Sequence, residues 1–321
     1  MILPNPANLR ETTKFPLTWT LLGLNIFIFF LIFSGSKSTL NMNYLLQEEG
    51  LQLTGRLYFQ YLQEAPPAQL YAKPEWVRQI RSNNLENLSI LGSYALRDGD
   101  FLQVAEKLAY HGDSVQIMSW KKEIGGFRDN YREQLMFRFG LSSLAQGPLS
   151  WLTYQFSHSN WLHLLSNMLF LLVISAAVEE LAGSAVLLFI YVFGGFAGGV
   201  SFLLSSGSDA VPMVGASASI SALLAFYCVA ELRPRIRYFY FISPIPGHYG
   251  FIYLPTLLIV PLFLVADVAN MWSTPAGMGG GVAYAAHLGG SIFGLIAGAF
   301  LRKSVNLTMS ARPYEKLNAK I

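Results

Sequence analysis

Six apolar runs, each about as long as a bilayer is thick, constrain this chain more than any other feature. A helix needs about 20 mostly apolar residues to cross the hydrocarbon core. Runs of that kind occupy Leu17–Phe33, Trp161–Leu181, Val186–Leu204, Met213–Glu231, Phe251–Ala269 and Val282–Leu301. In lipid the backbone has no water to bond to, so such runs must close their hydrogen bonds internally. Composition agrees: 53% of residues are hydrophobic and only 13% charged, against roughly 25% charged in a soluble domain. The expected class is an all-α membrane protein with a six-transmembrane-helix bundle. The N-terminal run is a full span and not a short apolar region followed by a small-residue cleavage site, so no cleavable signal peptide is expected.

Between the first and second runs lies a long polar stretch. Apolar spacing within it predicts helices over Asn43–Gln63, Trp76–Leu96, Phe101–Tyr110 and Ser114–Phe127, with Pro66-Pro67 as a break. The expected organisation is a first unit over 1–35 (N-terminus and first span), a helical extramembrane domain over 36–147, a core over 148–303 and a basic tail over 304–321. Arg10 and Lys14 precede the first span, Arg233, Arg235 and Arg237 follow the fourth, and Arg302 and Lys303 follow the sixth. Basic residues in short loops mark the cytoplasmic side. The reading is a multi-pass protein of the cell (inner or plasma) membrane with both termini cytoplasmic and the 36–147 segment outside. Cys228 is the one cysteine, which excludes an internal disulfide and a cysteine-based metal site. No nucleic-acid motif or phosphate-binding loop is present, and neither a metal nor a cofactor is expected.

Three spans carry groups that lipid does not favour. Ser217 opens the fourth and His287 the sixth; His163 and Asn167 lie early in the second. These three spans all run from outside to inside, so the four groups share one depth, roughly 9 Å into the outer half. A serine with a histidine is the minimum of an activated nucleophile and its base. His163 and Asn167 are four apart and share a helix face. Gly290, Gly294 and Gly298 form a stripe that lets another helix approach His287 closely. Ser217, Ser221 and Ala225 are the expected matching stripe. Gly215 and Ala216 leave little bulk beside Ser217. If the helix begins there, its free amides face the same cavity. Taken singly, each group has a plainer use: Ser217 as small packing, His163 and Asn167 as interhelical glue.

These residues sit in pieces that resemble the rhomboid family of intramembrane serine proteases. The pieces are Phe139-Gly140-Leu141, the stretch from His158 through His163 to Asn167, Val178-Glu179, Gly215-Ala216-Ser217, and Ala286-His287-Leu288-Gly289-Gly290 with Gly294. They run in family order over roughly residues 139 to 300. The resemblance implies a rhomboid bundle in which Ser217 is the nucleophile and His287 the base. It implies an oxyanion hole completed by His163 and Asn167, with Gly215, Gly290 and Gly294 as packing support. The implied partners are transmembrane-helix protein substrates and the lipid bilayer, with the site open to the outer side. Three positions depart from the family pattern. Ala218 stands where glycine usually follows the serine. Ser221 stands where an aromatic often packs on the histidine. Leu149-Ser150-Trp151 replaces a Trp-Arg pair. Two alternatives stay open on sequence grounds: a catalytically weak or inactive rhomboid-like protein that binds transmembrane helices, and a transporter with a broken helix at Gly215.

Overall fold

The computed structural model describes residues 2–4, 14–35, 44–80, 84–142, 147–206, 211–231, 235–241, 243, 245–255, 258 and 284–310. The first long helix, α1 (Pro16–Gly35), starts on a proline, whose missing N–H costs nothing at a helix start. Its next two amides, Leu17 N–H and Thr18 N–H, donate to the carboxylate of Glu179 at 3.0 and 2.9 Å. The Thr18 hydroxyl donates to it as well. Glu179 is therefore an N-terminal cap supplied from another helix, and its buried charge meets the positive end of the α1 dipole.

A group of helices follows, preceded by a single turn at Tyr44–Leu46. These are α2 (Glu48–Glu64), α3 (Pro67–Tyr71), α4 (Glu75–Gln79), α5 (Leu85–Ala95), α6 (Gly99–Val104) and α7 (Ser114–Glu133). Pro67 is the first residue of α3, as the Pro66-Pro67 break predicts. The single helix expected over Trp76–Leu96 is two, because the backbone turns extended at Ile80. The helix expected over Phe101–Tyr110 is shorter: Asp98 caps α6 through the amides of Asp100 and Phe101, and the helix ends at Val104. These helices share one apolar core around Tyr58, Leu57, Leu91, Phe101 and Trp120. α2 and α5 touch backbone to backbone. A Cβ on Gly55 would fall 2.0 Å from the Leu88 carbonyl oxygen, and one on Gly92 the same distance from that of Leu51. Lys73 is buried in this core, 2.8 Å from Asp98 Oδ1, and the Tyr58 hydroxyl donates to Asp98 Oδ2 at 2.5 Å. Burial and the Asp98 charge together push the Tyr58 phenol far above its ordinary value.

The second core belongs to the long apolar helices. After α8 (Leu135–Phe139), α9 (Ser150–Thr153) and a turn at Tyr154–Phe156 come α10 (Trp161–Ala182), α11 (Ser184–Ser206), α12 (Ser217–Ala230) and, last, α13 (Tyr284–Ser310). Close approaches fix their directions. Gly290 of α13 abuts Ala218 of α12, Gly294 abuts Ala222, and Gly298 abuts Phe226, so α12 and α13 run parallel. Gly194 meets Ala222 while Gly198 meets Ala218, so α11 runs opposite to α12. The start of α10 meets Gly215 just before α12, which sets α10, α12 and α13 in one direction.

Among the described residues, four helices are long and apolar enough to cross a membrane: Pro16–Phe33, Trp161–Ala182, Ser184–Ser205 and Tyr284–Arg302. Ser217–Ala230 is apolar but short, about 21 Å at 1.5 Å per residue. The sixth expected run starts at Val282, and its described part begins with α13 at Tyr284. The fifth, Phe251–Ala269, needs correction at its start. Tyr249–Pro255 is a strand (β3) paired antiparallel with Arg235–Phe241 (β2), and β2 pairs with Ile2–Pro4 (β1). The remainder of that run falls outside the described residues apart from Leu258. A three-stranded sheet therefore joins what was expected to be wholly helical. The aromatic and β-branched residues of both strands and the turn at Gly247, with φ +90°, are the sequence signals that predict it.

Candidate active site

Ser217 is the first residue of α12, and Ala216 before it gives no side-chain cap. The first amides of a helix have no acceptor within it, so this end presents N–H groups beside the serine. The chain reaches Ser217 through a tightly held path. Leu141 and Met213 form an antiparallel bridge, with N···O distances of 2.9 and 2.7 Å. Gly215 N–H donates to the Tyr154 carbonyl at 2.9 Å. Gly215 has φ +122°, which glycine adopts without penalty and other residues rarely do. Space demands glycine too. A Cβ at Gly215 would sit 2.9 Å from both Cε1 and Nε2 of His163 and 3.9 Å from Ser217 Oγ. His163, Gly215 and Ser217 are therefore one cluster, drawn from α10 and the entry to α12.

His163 is fixed from behind. Asn160 caps α10, accepting from His163 N–H at 2.9 Å. Ser159 Oγ lies 3.0 Å from His163 Nδ1. His158 packs its ring across that of His163 at 5.2 Å. It is 1% exposed and both its ring nitrogens lack a hydrogen-bond partner among the described residues. Burial, with the neighbouring His163 imidazole adding to it, pushes the His158 imidazole down to about 3. Asn167 lies one turn below His163, buried, and donates one amide hydrogen to the His163 carbonyl at 2.8 Å. An amide NH2 has two hydrogens, so one donor is left over from that bond.

His287 lies in the first turn of α13, half-buried, with its ring edge-on to Tyr284 at 6.3 Å. Its level follows from helix register. The contacts Gly290 to Ala218, Gly294 to Ala222 and Gly298 to Phe226 keep one offset along two parallel helices, which brings the first turn of α13 level with Gly215–Ser217. Gly198 of α11 closes the same point. A Cβ there would lie 2.5 Å from the Ala218 methyl and 2.8 Å from the Ala286 carbonyl oxygen. The neighbours of Ser217 and of His287 thus meet at one glycine.

One expectation shifts. The small-residue stripe facing α13 is Ala218, Ala222 and Ala225, one residue round from the stripe expected through Ser217 and Ser221. The α13 glycines rest on the main-chain carbonyls of Ala218 and Ala222, whose methyl groups meet Gly198 and Gly194 of α11, and Ser217 stands at the edge of the seam, half-buried. The Ala218 methyl, which stands where the family usually has glycine, is 1% exposed and packs against Gly198.

Sequence reasoning did not single out Gln155. It is fully buried behind α12, accepts from Ser219 Oγ at 3.1 Å and donates to the Trp151 carbonyl at 3.1 Å. Tyr191 donates to its carbonyl, and Tyr154 donates to the Gly195 carbonyl. This network ties α11 and α12 to the turn that receives Gly215 N–H. A polar residue between apolar helices is the available signal.

A cavity of about 280 Å³ opens elsewhere, lined by Tyr61, Glu64, Gln69, Asp100 and Tyr110 among others. Its walls hold no serine, cysteine or histidine, so it offers no nucleophile with a base. Among the described residues no group of three or more His, Cys, Asp or Glu side chains is gathered to hold a metal.

Comparison with known proteins points to the same stretch of chain. Residues 146–304 match the family described as the Rhomboid domain. "Rhomboid protein 1, mitochondrial" of Saccharomyces cerevisiae is 29% identical over 154 residues, 47% of this chain and 41% of that protein. The chain therefore spans less than half the length of this curated relative.

Proposed function

The chain belongs to the rhomboid family, and from that premise we propose that it is an intramembrane serine endopeptidase acting on membrane-spanning protein substrates. The observation that carries this reading is the fixed register of α12 against α13, which sets Ser217 and His287 at one level on parallel helices. In the proposed reaction His287 takes the proton of Ser217 Oγ as the oxygen attacks a peptide carbonyl. The oxyanion forms beside the free amides of α12. The His163 imidazole and the Asn167 amide supply further donors, the kind of preorganised field worth about 3 kcal/mol per donor. His287 then protonates the leaving amine. Water repeats the attack on the acyl-serine, and Ser217 regains its proton. No orienting carboxylate enters this scheme, so the unit is a dyad.

The site lies near the start of α10, α12 and α13, while Glu179 and the sheet-bearing β1 lie with the start of α1 at the opposite ends. Combined with the basic residues around α1 and β2, this supports a site open to the outer face, termini on the cytoplasmic side, and residence in the cell membrane. The 36–147 segment then lies outside. Uptake of the Ala218 methyl by α11 favours the protease over a binding protein without activity, because the serine keeps its space.

The test pairs an active-site probe with a substrate. A fluorophosphonate should label the wild type and leave Ser217→Ala unlabelled. A tagged single-span substrate panel should be cut by the wild type, with Ser217→Ala and His287→Ala each losing at least about 10³-fold. Cleavage persisting in both variants would sink the dyad.

A further inference from the structure

We infer that Ser159 is a positioning residue that fixes the tautomer and the facing of His163, so that His163 presents an Nε2–H to the space beside Ser217. The inference rests on the proposed protease reading for its kinetic consequence, but its structural content does not.

Two groups of Ser159 meet one nitrogen. Its hydroxyl lies 3.0 Å from His163 Nδ1, and its main-chain N–H points at the same atom at 3.5 Å. A main-chain N–H can only donate. Nδ1 must then be the bare, accepting nitrogen, and the hydroxyl donates to it as well. A neutral imidazole with a bare Nδ1 carries its proton on Nε2. Nε2 and Cε1 are the two atoms that face Gly215, each 2.9 Å from where a Cβ there would stand. The donor is therefore aimed at the one place where the chain has left room, between Gly215 and Ser217 Oγ. The opposite tautomer, or a ring turned over by 180°, would set a lone pair or a carbon against a forming oxyanion.

The surroundings leave the task to Ser159. His158, the other ring against His163, offers only an edge contact at 5.2 Å. Asn160 holds the His163 main chain, not its ring. Asn167 takes the His163 carbonyl. Ser159 itself is placed by the start of α10: it is the residue before the cap, and the Asn160 amide donates to its hydroxyl at 3.3 Å. That bond occupies the oxygen as acceptor and turns its hydrogen toward Nδ1.

The experiment uses the full chain in detergent or lipid nanodiscs. ¹⁵N-histidine NMR, with His163 assigned by a His163→Gln variant, should find Nδ1 bare and Nε2 protonated in the wild type. Ser159→Ala, which keeps only the longer 3.5 Å main-chain contact and loses the hydroxyl at 3.0 Å, should give a mixture of tautomers, and Ser159→Thr should restore the single form. On the cleaved substrate Ser159→Ala should lower kcat roughly 3- to 10-fold, the value of one hydrogen bond, with KM unchanged, and Ser159→Thr should recover it. Ser159→Cys, with similar volume and a weak donor, serves if the alanine variant does not fold and should fall between. A wild-type Nδ1 that carries the proton, or a fall in kcat with the tautomer unmoved, overturns the inference. If the wild type cuts nothing, the protease reading fails while the NMR result still decides the tautomer.

Discussion

The two cores of this molecule are held by different forces. The α2–α7 core is built from large side chains: Trp120, Tyr58 and Phe101 are fully buried, and a lysine and an aspartate lie among them. Its stability comes mainly from apolar surface withdrawn from water. The α10–α13 core is built from absences. Gly194, Gly198, Gly290 and Gly294 let backbones touch, and alanines fill the seams. Lipid is as apolar as leucine, so burial alone drives no association between spanning helices, and close packing must supply it. The lesson is that one chain can need bulk in one place and its removal in another. The proposed catalytic pair follows the second rule, since Ser217 and His287 come level only because glycines bring their helices together.

The strongest way to break this contrast is to add bulk to the second core. At Gly294 even a Cβ would fall 2.1 Å from the Ala222 carbonyl oxygen, and a backbone atom cannot move aside cheaply. Gly294→Leu should cost on the order of 5 kcal/mol or more, read as loss of the folded protein in a detergent thermal melt and of fluorophosphonate labelling. Gly23→Leu on α1, where a Cβ would meet nothing within 4 Å, should change neither.

The next effect belongs to the first core. Lys73 is 3% exposed and its ammonium sits 2.7 Å from Asp98 Oδ2, with Asp100 at 2.9 Å. Lys73→Met leaves the Asp98 carboxylate buried without that partner. Removing one member of a buried pair costs about 3–5 kcal/mol. Denaturant unfolding followed by tryptophan fluorescence should show it. If the variant is as stable as the wild type, the ion pair is incidental to this core.

A smaller effect depends on pH. The His158 imidazole is held neutral in the folded protein, at about 3 against an ordinary 6.5. Below 6.5 the unfolded chain takes up a proton that the folded one refuses. Stability therefore falls as pH drops through the window from 6.5 toward 3, and is unaffected above it. Between neutrality and about pH 5 the loss is about 2 kcal/mol. His158→Phe should remove that part of the slope in thermal melts across the same range.

How much of this was legible in the sequence also follows the contrast. The spanning helices carry their identity in length and apolarity, so α1, α10, α11 and α13 could be placed to within a few residues. The pairing of α12 with α13 was legible because Gly290, Gly294 and Gly298 repeat at helical spacing. Its rotation was not: the difference between Ser217 and Ala218 facing the seam is about 100°, one residue, and only three-dimensional packing against Gly198 decides it. The sheet was hidden because β3 begins two residues before an apolar run and merges with the expected span, while β2 carries Arg235 and Arg237 and matches a basic loop. Ser159 and Gln155 carry weaker signals for another reason: polarity marks a serine or glutamine in the sequence, but its role has no pattern until its partner is near.

The smallest effect separates the two regions by consequence, not size. Asn160 caps α10 through His163 N–H at 2.9 Å, and Asp113 caps α7 through Val115 N–H at 2.8 Å. Each is a side-chain oxygen on a free amide, and each should cost about 1 kcal/mol on replacement by alanine. The two variants should therefore melt alike. They should not work alike. Fraying α10 loosens the residue whose imidazole stands beside Gly215, so Asn160→Ala should also lower kcat several-fold, while Asp113→Ala should leave turnover at the wild-type value. Equal turnover in both would mean that the α10 cap holds helix and nothing more, and that the His163 ring is kept in place from its own side chain outward.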